Sequence, residues 1–205
     1  MRVSTILLFA LALLLGSAQA GDLRVGQPAP AFELPDQHGE THRLADYADG
    51  WLVLYFYPKN ETPGCTTEAC NFRDAMHRLI AQDTQILGVS MDSQASHQAF
   101  AEKYELPFSL LSDPDGVTVR DYGALSNFLV VRFAKRHSFI IDPDGRLAKI
   151  YRDVDPDEHV FEVLADLRQL RAQVGEDPSR SVIPAESWRM VRLATWKTSG
   201  FRTRL

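Results

Sequence analysis

The chain contains two cysteines, Cys65 and Cys70, which lie five positions apart and are its only thiols. A disulfide that closes so short a loop removes little entropy from the unfolded chain, so the pair would stabilise the fold only weakly. Two cysteines at this spacing instead favour redox chemistry or a bound metal. A passive pair in an exported protein is the alternative interpretation.

The segment around Cys65 predicts how its sulfur is activated. Residues 51–57 form a continuous apolar and aromatic run, which predicts a strand buried on both faces, and Pro58 ends it. Cys65 is predicted to begin a helix that continues to Asp83. The free N–H groups and the partial positive charge at a helix N-terminus stabilise a thiolate.

Ionisation of the sulfur alone is not sufficient. A thiol that ionises more easily is also a weaker nucleophile, so its reactivity at pH 7 rises by only about twofold. The site must also hold the oxidant and stabilise the departing oxygen. Thr62, three residues before Cys65, can donate its hydroxyl to the sulfur or to a bound oxygen, although an ordinary loop or capping threonine is the alternative. Pro58 can exclude water without an unsatisfied N–H. A guanidinium would complete the site.

The spacing of the two cysteines also predicts a conformational change. On an ideal helix, Cα atoms five residues apart are separated by about 8.7 Å. A disulfide requires less than about 7 Å. Cys65 and Cys70 therefore cannot form a disulfide unless the first one or two turns of the helix unwind.

The rest of the chain predicts one α/β domain. Hydrophobic residues make up 45% of the chain, enough for a core without disulfides. The predicted strands are 85–90 and 108–111, the helices 93–104, 117–122 and 157–174, and the hairpins 31–44 and 137–151. The apolar face of the helix after Cys65 comprises Ala69, Phe72, Met76, Leu79 and Ile80. This alternation predicts a layered sandwich, with ligands bound at the carboxyl ends of central strands, where residues 58–65 fall.

The N-terminus has the pattern of a cleaved secretory signal. Arg2 precedes an apolar run at residues 3–15, and a small-x-small pattern ends at Ala20. The run is shorter than the roughly 20 residues that span a bilayer. We expect cleavage after Ala20 and export to a bacterial periplasm; a retained membrane anchor or a buried core helix is the alternative. The predicted organisation is a signal peptide at 1–20, a domain at 21–175 and a basic extension at 176–205.

The net charge of −5 does not favour nucleic acid as a partner. The extension after Glu176 carries six basic and two acidic residues, with apolar residues among them. Such a segment could contact an anionic membrane or a partner, but a short helix packed on the domain, or a frayed end, is the favoured interpretation. The six histidines of the chain show no ligand spacing, so we expect them to be structural or solvated.

Two motifs resemble a known family. Residues 58–65 follow the pattern PxxxTxxC, which resembles the active-site motif of the peroxiredoxins. Residues 63–70, PGCTTEAC, resemble the peroxiredoxin Q subgroup, also called bacterioferritin comigratory protein, and the resemblance runs from about Leu23 to Leu170. It implies a thioredoxin-like three-layer sandwich, with a mixed central sheet flanked by helices and an N-terminal hairpin. It also implies a thiol-dependent peroxidase that reduces hydrogen peroxide and organic hydroperoxides.

The resemblance implies a role for each motif residue. Cys65 matches the peroxidatic cysteine, which becomes a sulfenic acid, and Cys70 matches the resolving cysteine, which forms a disulfide with it. Thr62 and Pro58 match the positions that bind and shield the peroxide. The implied reductant is a thioredoxin-like protein, and neither a metal nor an organic cofactor is required. The subgroup favours a monomer over a dimer.

Arg136, just before the late hairpin, resembles the active-site arginine of the family, and Arg132 is its competitor. Glu68 matches an acidic position that orients this arginine. However, residues 123–135 lack the family's Gly/Lys-rich pattern and are apolar instead, which leaves a surface arginine at a strand start as the alternative for Arg136. His137 is expected to pack on the strand.

Two other functions remain open at this point. A thioredoxin-like thiol-disulfide oxidoreductase uses C-x-x-C, whereas four residues intervene here. An exported copper chaperone uses a shorter C-x-x-x-C with a distal histidine, because soft thiolates suit Cu(I). Metal binding would need neither Thr62 nor the proline-rich loop, so the peroxidase is the favoured hypothesis.

Overall fold

A computed structural model describes residues 22–48, 50–128 and 131–175 of the protein. The predicted signal peptide at 1–20 and the basic extension at 176–205 lie outside these residues. The described residues up to Arg168 belong to one compact unit, and residues 169–175 belong to a second. The predicted domain boundary at residue 175 stays a prediction.

The described residues contain nine strands and five helices. The strands are β1 (Glu33–Pro35), β2 (Thr41–Arg43), β3 (Trp51–Phe56), β4 (Thr84–Ser90), β5 (Ser109–Ser112), β6 (Leu125–Phe128), β7 (Val131–Ala134), β8 (Ser138–Ile141) and β9 (Leu147–Tyr151). The helices are α1 (Pro63–Asp74), α2 (Met76–Ala81), α3 (Gln94–Tyr104), α4 (Val117–Asp121) and α5 (His159–Gly175). A short 3-10 turn, Leu44–Tyr47, follows β2. The hydrophobic pattern predicts most of these strands and helices, but not β6, β7 or a separate α2.

The central sheet is mixed and has the strand order β5-β4-β3-β8-β9. β3 pairs parallel with β4, and β4 with β5, whereas β8 pairs antiparallel with both β3 and β9. All six residues of β3 are buried, because both faces of the central strand are covered. The predicted α/β sandwich with a late antiparallel hairpin is therefore confirmed.

Aromatic side chains fill both faces of the sheet. On one face, the Phe56 ring lies 5.1 Å from that of Tyr122 and 5.8 Å from that of Phe139, between centroids. On the other, Tyr55 lies 5.1 Å from Phe72 of α1. Fully burying a side chain of this size contributes about 1.5–3 kcal/mol. These contacts fix α1 against the carboxyl end of β3, where the sequence places Cys65.

The helix after the central strand differs from the prediction. A single helix from Cys65 to Asp83 is wrong, since α1 begins at Pro63 and ends at Asp74. At Ala75, φ is −90° and ψ is 0°, and a separate helix, α2, begins at Met76. The break changes the buried face: Leu79 is fully buried, whereas Ile80, predicted to share that face, is 44% exposed.

Two hairpins lie outside the central sheet. β1 and β2 form the predicted N-terminal hairpin. β6 and β7 form a second antiparallel hairpin, which was not predicted. Within the described ranges, no helix is long and apolar enough to cross a membrane.

Candidate active site

Cys65 lies in the first turn of α1 and is 2% exposed. Thr62 is the N-cap residue and Pro63 is the first helical residue, a position where the missing N–H of proline costs nothing. The backbone N–H of Thr66 is the first to bond within the helix, to the carbonyl of Thr62. Those of Gly64 and Cys65 precede it, at the positive end of the helix. The sulfur therefore lies where backbone N–H groups favour negative charge.

A guanidinium contacts this sulfur. Nη2 of Arg136 donates to Sγ of Cys65 at 3.3 Å, and Nη1 donates to Oε2 of Glu68. The Arg136 side chain is 16% exposed and that of Glu68 only 1%. The mostly buried arginine places a fixed positive charge and a hydrogen-bond donor beside the sulfur. The structure thus brings together three predicted site residues, two from α1 and one from the segment before β8.

Arg132, the competing arginine, lies elsewhere. It belongs to β7, and its Nη2 donates to the carbonyl oxygen of Asp115 at 2.7 Å. Arg136, by contrast, precedes His137, whose carbonyl accepts from the N–H of Phe56 at 2.8 Å. This bond ties the Arg136 segment to the end of β3, which leads to the cysteine.

The absence of a side chain at Gly64 leaves room for the guanidinium of Arg136. A Cβ at this position would lie 3.1 Å from Nη2 of Arg136 and 3.3 Å from Cγ of Pro156. Both distances are tighter than nine in ten real Cβ contacts, so a side chain here would displace the arginine or the Pro156 loop. The glycine before Cys65 is therefore part of how the arginine reaches the sulfur.

Thr62 and Pro58 lie in the loop between β3 and α1, and both are partly buried. The Thr62 hydroxyl donates to the carbonyl of Lys59 at 3.0 Å and makes no helix-capping bond. It therefore does not donate to the Cys65 sulfur in this structure, and its donation to a bound oxygen stays a prediction. Its oxygen keeps lone pairs that can accept a hydrogen bond from a peroxide O–H.

A buried polar network, which the sequence did not reveal, holds this loop. Asn60 is 4% exposed. Its backbone N–H donates to Oδ2 of Asp92, and its side-chain Nδ2 donates to Oγ of Ser96, both at 2.8 Å. Its Oδ1 accepts a hydrogen bond from the Tyr57 hydroxyl. Nδ1 of His97 lies 3.1 Å from both Asn60 and Tyr57. Burial lowers the pKa of His97 to about 4. The network anchors the loop to α3 through uncharged bonds and one carboxylate, which preorganises the site.

Glu68 contacts the guanidinium of Arg136, and His159 lies next to Glu68. Burial raises the pKa of Glu68 to about 7, although Arg136 opposes the shift. His159, at the start of α5, is fully buried, and its Nε2 lies 4.0 Å from Oε1 of Glu68. Burial, reinforced by Arg136, lowers the pKa of His159 to about 4. The sequence did not single out His159, because residues 68 and 159 become neighbours only through folding.

Among the residues that the structure describes, one cluster has side chains of the types that bind metal ions. Ligand atoms of Asp36, Glu40 and His42 lie within 4.8 Å of one another. However, Oδ1 of Asp36 accepts from the N–H groups of His38 and Glu40, and its Oδ2 lies 3.1 Å from both Ser109 Oγ and His42 Nε2. The carboxylate already has its hydrogen bonds, so the cluster ties the N-terminal hairpin to β5.

Comparison with known proteins identifies the chain. The model of the AhpC/TSA family matches residues 25–150. The chain belongs to this family. It is 44% identical over 154 residues to peroxiredoxin Bcp of Bacillus subtilis strain 168, across 72% of this chain and 97% of the relative. The protein is thus a peroxiredoxin with a thioredoxin-like fold and thiol-dependent peroxidase activity.

Solved structures agree with this identification. Peroxidoxin BcpB from Mycobacterium tuberculosis superposes with a TM-score of 0.69 at 35% identity, across 72% of this chain and 98% of that one. A bacterioferritin comigratory protein from Xanthomonas campestris, described with alkyl peroxide reduction activity, superposes with a TM-score of 0.67 at 33% identity. The match covers 72% of this chain and 98% of that one.

The second cysteine of this peroxiredoxin lies on the same helix as the first. Cys70 is partly exposed, and neither cysteine is in a disulfide. Both belong to α1, which is continuous from Pro63 to Asp74. At the separation of about 8.7 Å that helical geometry imposes on their Cα atoms, the two sulfurs cannot bond in this conformation.

Proposed function

We propose that Cys65 is the peroxidatic residue. Its thiolate attacks one oxygen of a peroxide; the O–O bond breaks, a sulfenic acid forms, and the departing oxygen leaves with a proton as water or an alcohol. The observation that supports this role is the 3.3 Å contact between Arg136 Nη2 and Cys65 Sγ. A fixed cation at this place stabilises both the thiolate and the negative charge that develops on the departing oxygen.

Other residues of the site complete the reaction. We assign Arg136 rather than Arg132 to the active site, with Glu68 holding the guanidinium. Thr62 accepts a hydrogen bond from the peroxide, and Pro58 limits access of water to the sulfur. Cys70 then attacks the sulfenic sulfur, releasing water and forming the Cys65–Cys70 disulfide, after α1 has unwound.

The substrates are hydrogen peroxide and organic hydroperoxides, and a thioredoxin-like dithiol protein returns the disulfide to two thiols. Support for the organic class comes from the alkyl peroxide reduction described for the Xanthomonas campestris relative. The two alternative functions gain no support. A bound copper ion would be repelled by the guanidinium of Arg136, and a disulfide oxidoreductase needs cysteines that can bond within an intact helical turn.

Stopped-flow mixing of the reduced protein with one equivalent of hydrogen peroxide tests this function. We expect both thiols to disappear, with a fluorescence change, at a rate orders of magnitude above that of a free thiol, because the site orients and stabilises the reacting oxygen. Cys65→Ser should abolish the reaction. A slow reaction, equal to that of free cysteine, would contradict the proposal.

We further propose that the enzyme works outside the cytosol. The support is the signal-like pattern of residues 1–20. Expression of the full chain in a Gram-negative host should yield periplasmic protein whose mass corresponds to a chain beginning at Gly21. Recovery of the uncleaved chain in the cytosol would refute export.

A further inference from the structure

Three buried polar atoms without a hydrogen-bond partner among the described residues meet at one place. They are Oε1 of Glu68 and both ring nitrogens of His159. The two residues are 1% and 0% exposed. Because a buried polar atom without a partner is costly, such a group in a native protein calls for an explanation.

The geometry holds the imidazole against the carboxyl group. The rings of Phe72 and Tyr151 contact His159 edge to face, with centroids at 5.4 and 5.1 Å. Its Nε2 lies 4.0 Å from Oε1 of Glu68. A hydrogen bond requires about 3 Å, so a movement of about 1 Å would join the two atoms.

The charge on Glu68 decides which residue donates the hydrogen bond between Glu68 and His159. Oε2 of Glu68 already accepts from Arg136, and an ionised carboxylate has only acceptor atoms, so Oε1 requires a donor. His159, whose pKa is lowered to about 4, is neutral at physiological pH and carries one N–H. With the proton on Nε2, it supplies that donor.

Other titratable groups lie around this pair. Tyr55 of β3 has a buried hydroxyl without a partner among the described residues, and burial keeps its pKa well above 10, so it stays neutral. Tyr151 of β9 donates to Oδ2 of Asp166 at 2.6 Å, and Lys149 contacts the same oxygen. Arg136 is the cation that faces the carboxylate.

We propose that His159 is a positioning residue of the peroxidase: its Nε2–H donates to Glu68, which in turn holds Arg136 against the sulfur of Cys65. The inference rests on the proposed function and extends the site from α1 to α5. A neutral Glu68 would accept only an uncharged hydrogen bond from Arg136, about half as strong as the charge-assisted one. His159 keeps Glu68 ionised because a hydrogen bond to the charged form favours it.

Replacement of His159 by leucine should therefore cause a loss of rate that depends on pH. The pKa of about 7 for Glu68 reflects burial opposed by Arg136, with no hydrogen bond from His159. It is therefore the value expected for the leucine variant, in which Glu68 is about one-tenth ionised at pH 6. If only the ionised form holds Arg136, the rate constant for oxidation of Cys65 should fall about tenfold relative to wild type at pH 6. At pH 8.5, where Glu68 is ionised in both proteins, the two rates should agree within about twofold.

His159→Gln restores a non-titrating N–H donor and should recover most of the lost rate at pH 6. Tyr151→Phe is the matched control, because it keeps the ring against His159, and its rate should equal that of wild type. A ratio to wild type that is constant from pH 6 to 8.5, or no recovery with glutamine, would overturn the inference.

A measurement on the wild-type enzyme covers the case in which the leucine variant does not fold. In ¹⁵N–¹H correlation spectra, assigned with His159→Gln, the His159 ring should be neutral and protonated on Nε2 at pH 7. Protonation on Nδ1 would overturn the inference. If wild type reacts with peroxide no faster than a free thiol, the proposed peroxidase function fails. The tautomer of His159 still tests its hydrogen bond to Glu68 in that case.

Discussion

Replacement of Arg136 by methionine should lower the rate constant for oxidation of Cys65 by hydrogen peroxide by about 10²–10³-fold, the usual effect of removing one preorganised donor from a developing oxyanion. The guanidinium donates to Cys65 and is held by Glu68 in a mostly buried site. Methionine keeps the length of the side chain but neither the charge nor the donors. Stopped-flow fluorescence of the reduced variant would measure the loss.

Arg132→Met is the matched control, since Arg132 has the same chemistry four residues earlier but donates to Asp115. Its rate should stay within about twofold of wild type, as for most surface substitutions. Gly64→Ala should give an intermediate loss, because the added Cβ would crowd Nη2 of Arg136. If Arg132→Met lost the rate and Arg136→Met kept it, the assignment of the arginine would be reversed.

Oxidation should unwind α1. Because an intact helix keeps Cys65 and Cys70 too far apart, their disulfide should raise the amide hydrogen exchange of residues 63–74 by about 100-fold or more, as expected when local structure opens. Peptide-level exchange followed by mass spectrometry, with reduced and oxidised protein compared, would measure it. Residues 94–104 of α3 serve as the internal reference.

Cys70→Ser provides the control for this change. The variant should form the sulfenic acid as fast as wild type, keep α1 protected, and lose turnover with a dithiol reductant by about 100-fold or more, because the disulfide that the reductant attacks cannot form. An oxidised wild type whose α1 retained full protection would contradict the coupling of disulfide formation to unwinding.

Several features of the protein follow from short-range sequence patterns. Residues 51–57 are continuously apolar, a pattern typical of a strand covered on both faces, and β3 is that strand. The late hairpin follows from its Asp144-Gly145 turn, and α5 from its apolar periodicity. The motif at residues 58–70 places both cysteines on one helix, because strand, loop and helix are consecutive in the chain. The break at Ala75 was missed, since no glycine or proline marks it.

The tertiary structure decided what surrounds the sulfur. Arg132 and Arg136 are equivalent in type, and their roles diverge because the β6–β7 hairpin and the bond from Phe56 to His137 place one of them beside Cys65. The contact of Glu68 with His159 joins residues 91 positions apart, a relation that no local period encodes. The sequence alone therefore predicted the candidate nucleophile and placed it on the helix that follows β3. The fold determined the charges that face it, because these come from segments joined only by the packing of α1 and α5 against the sheet.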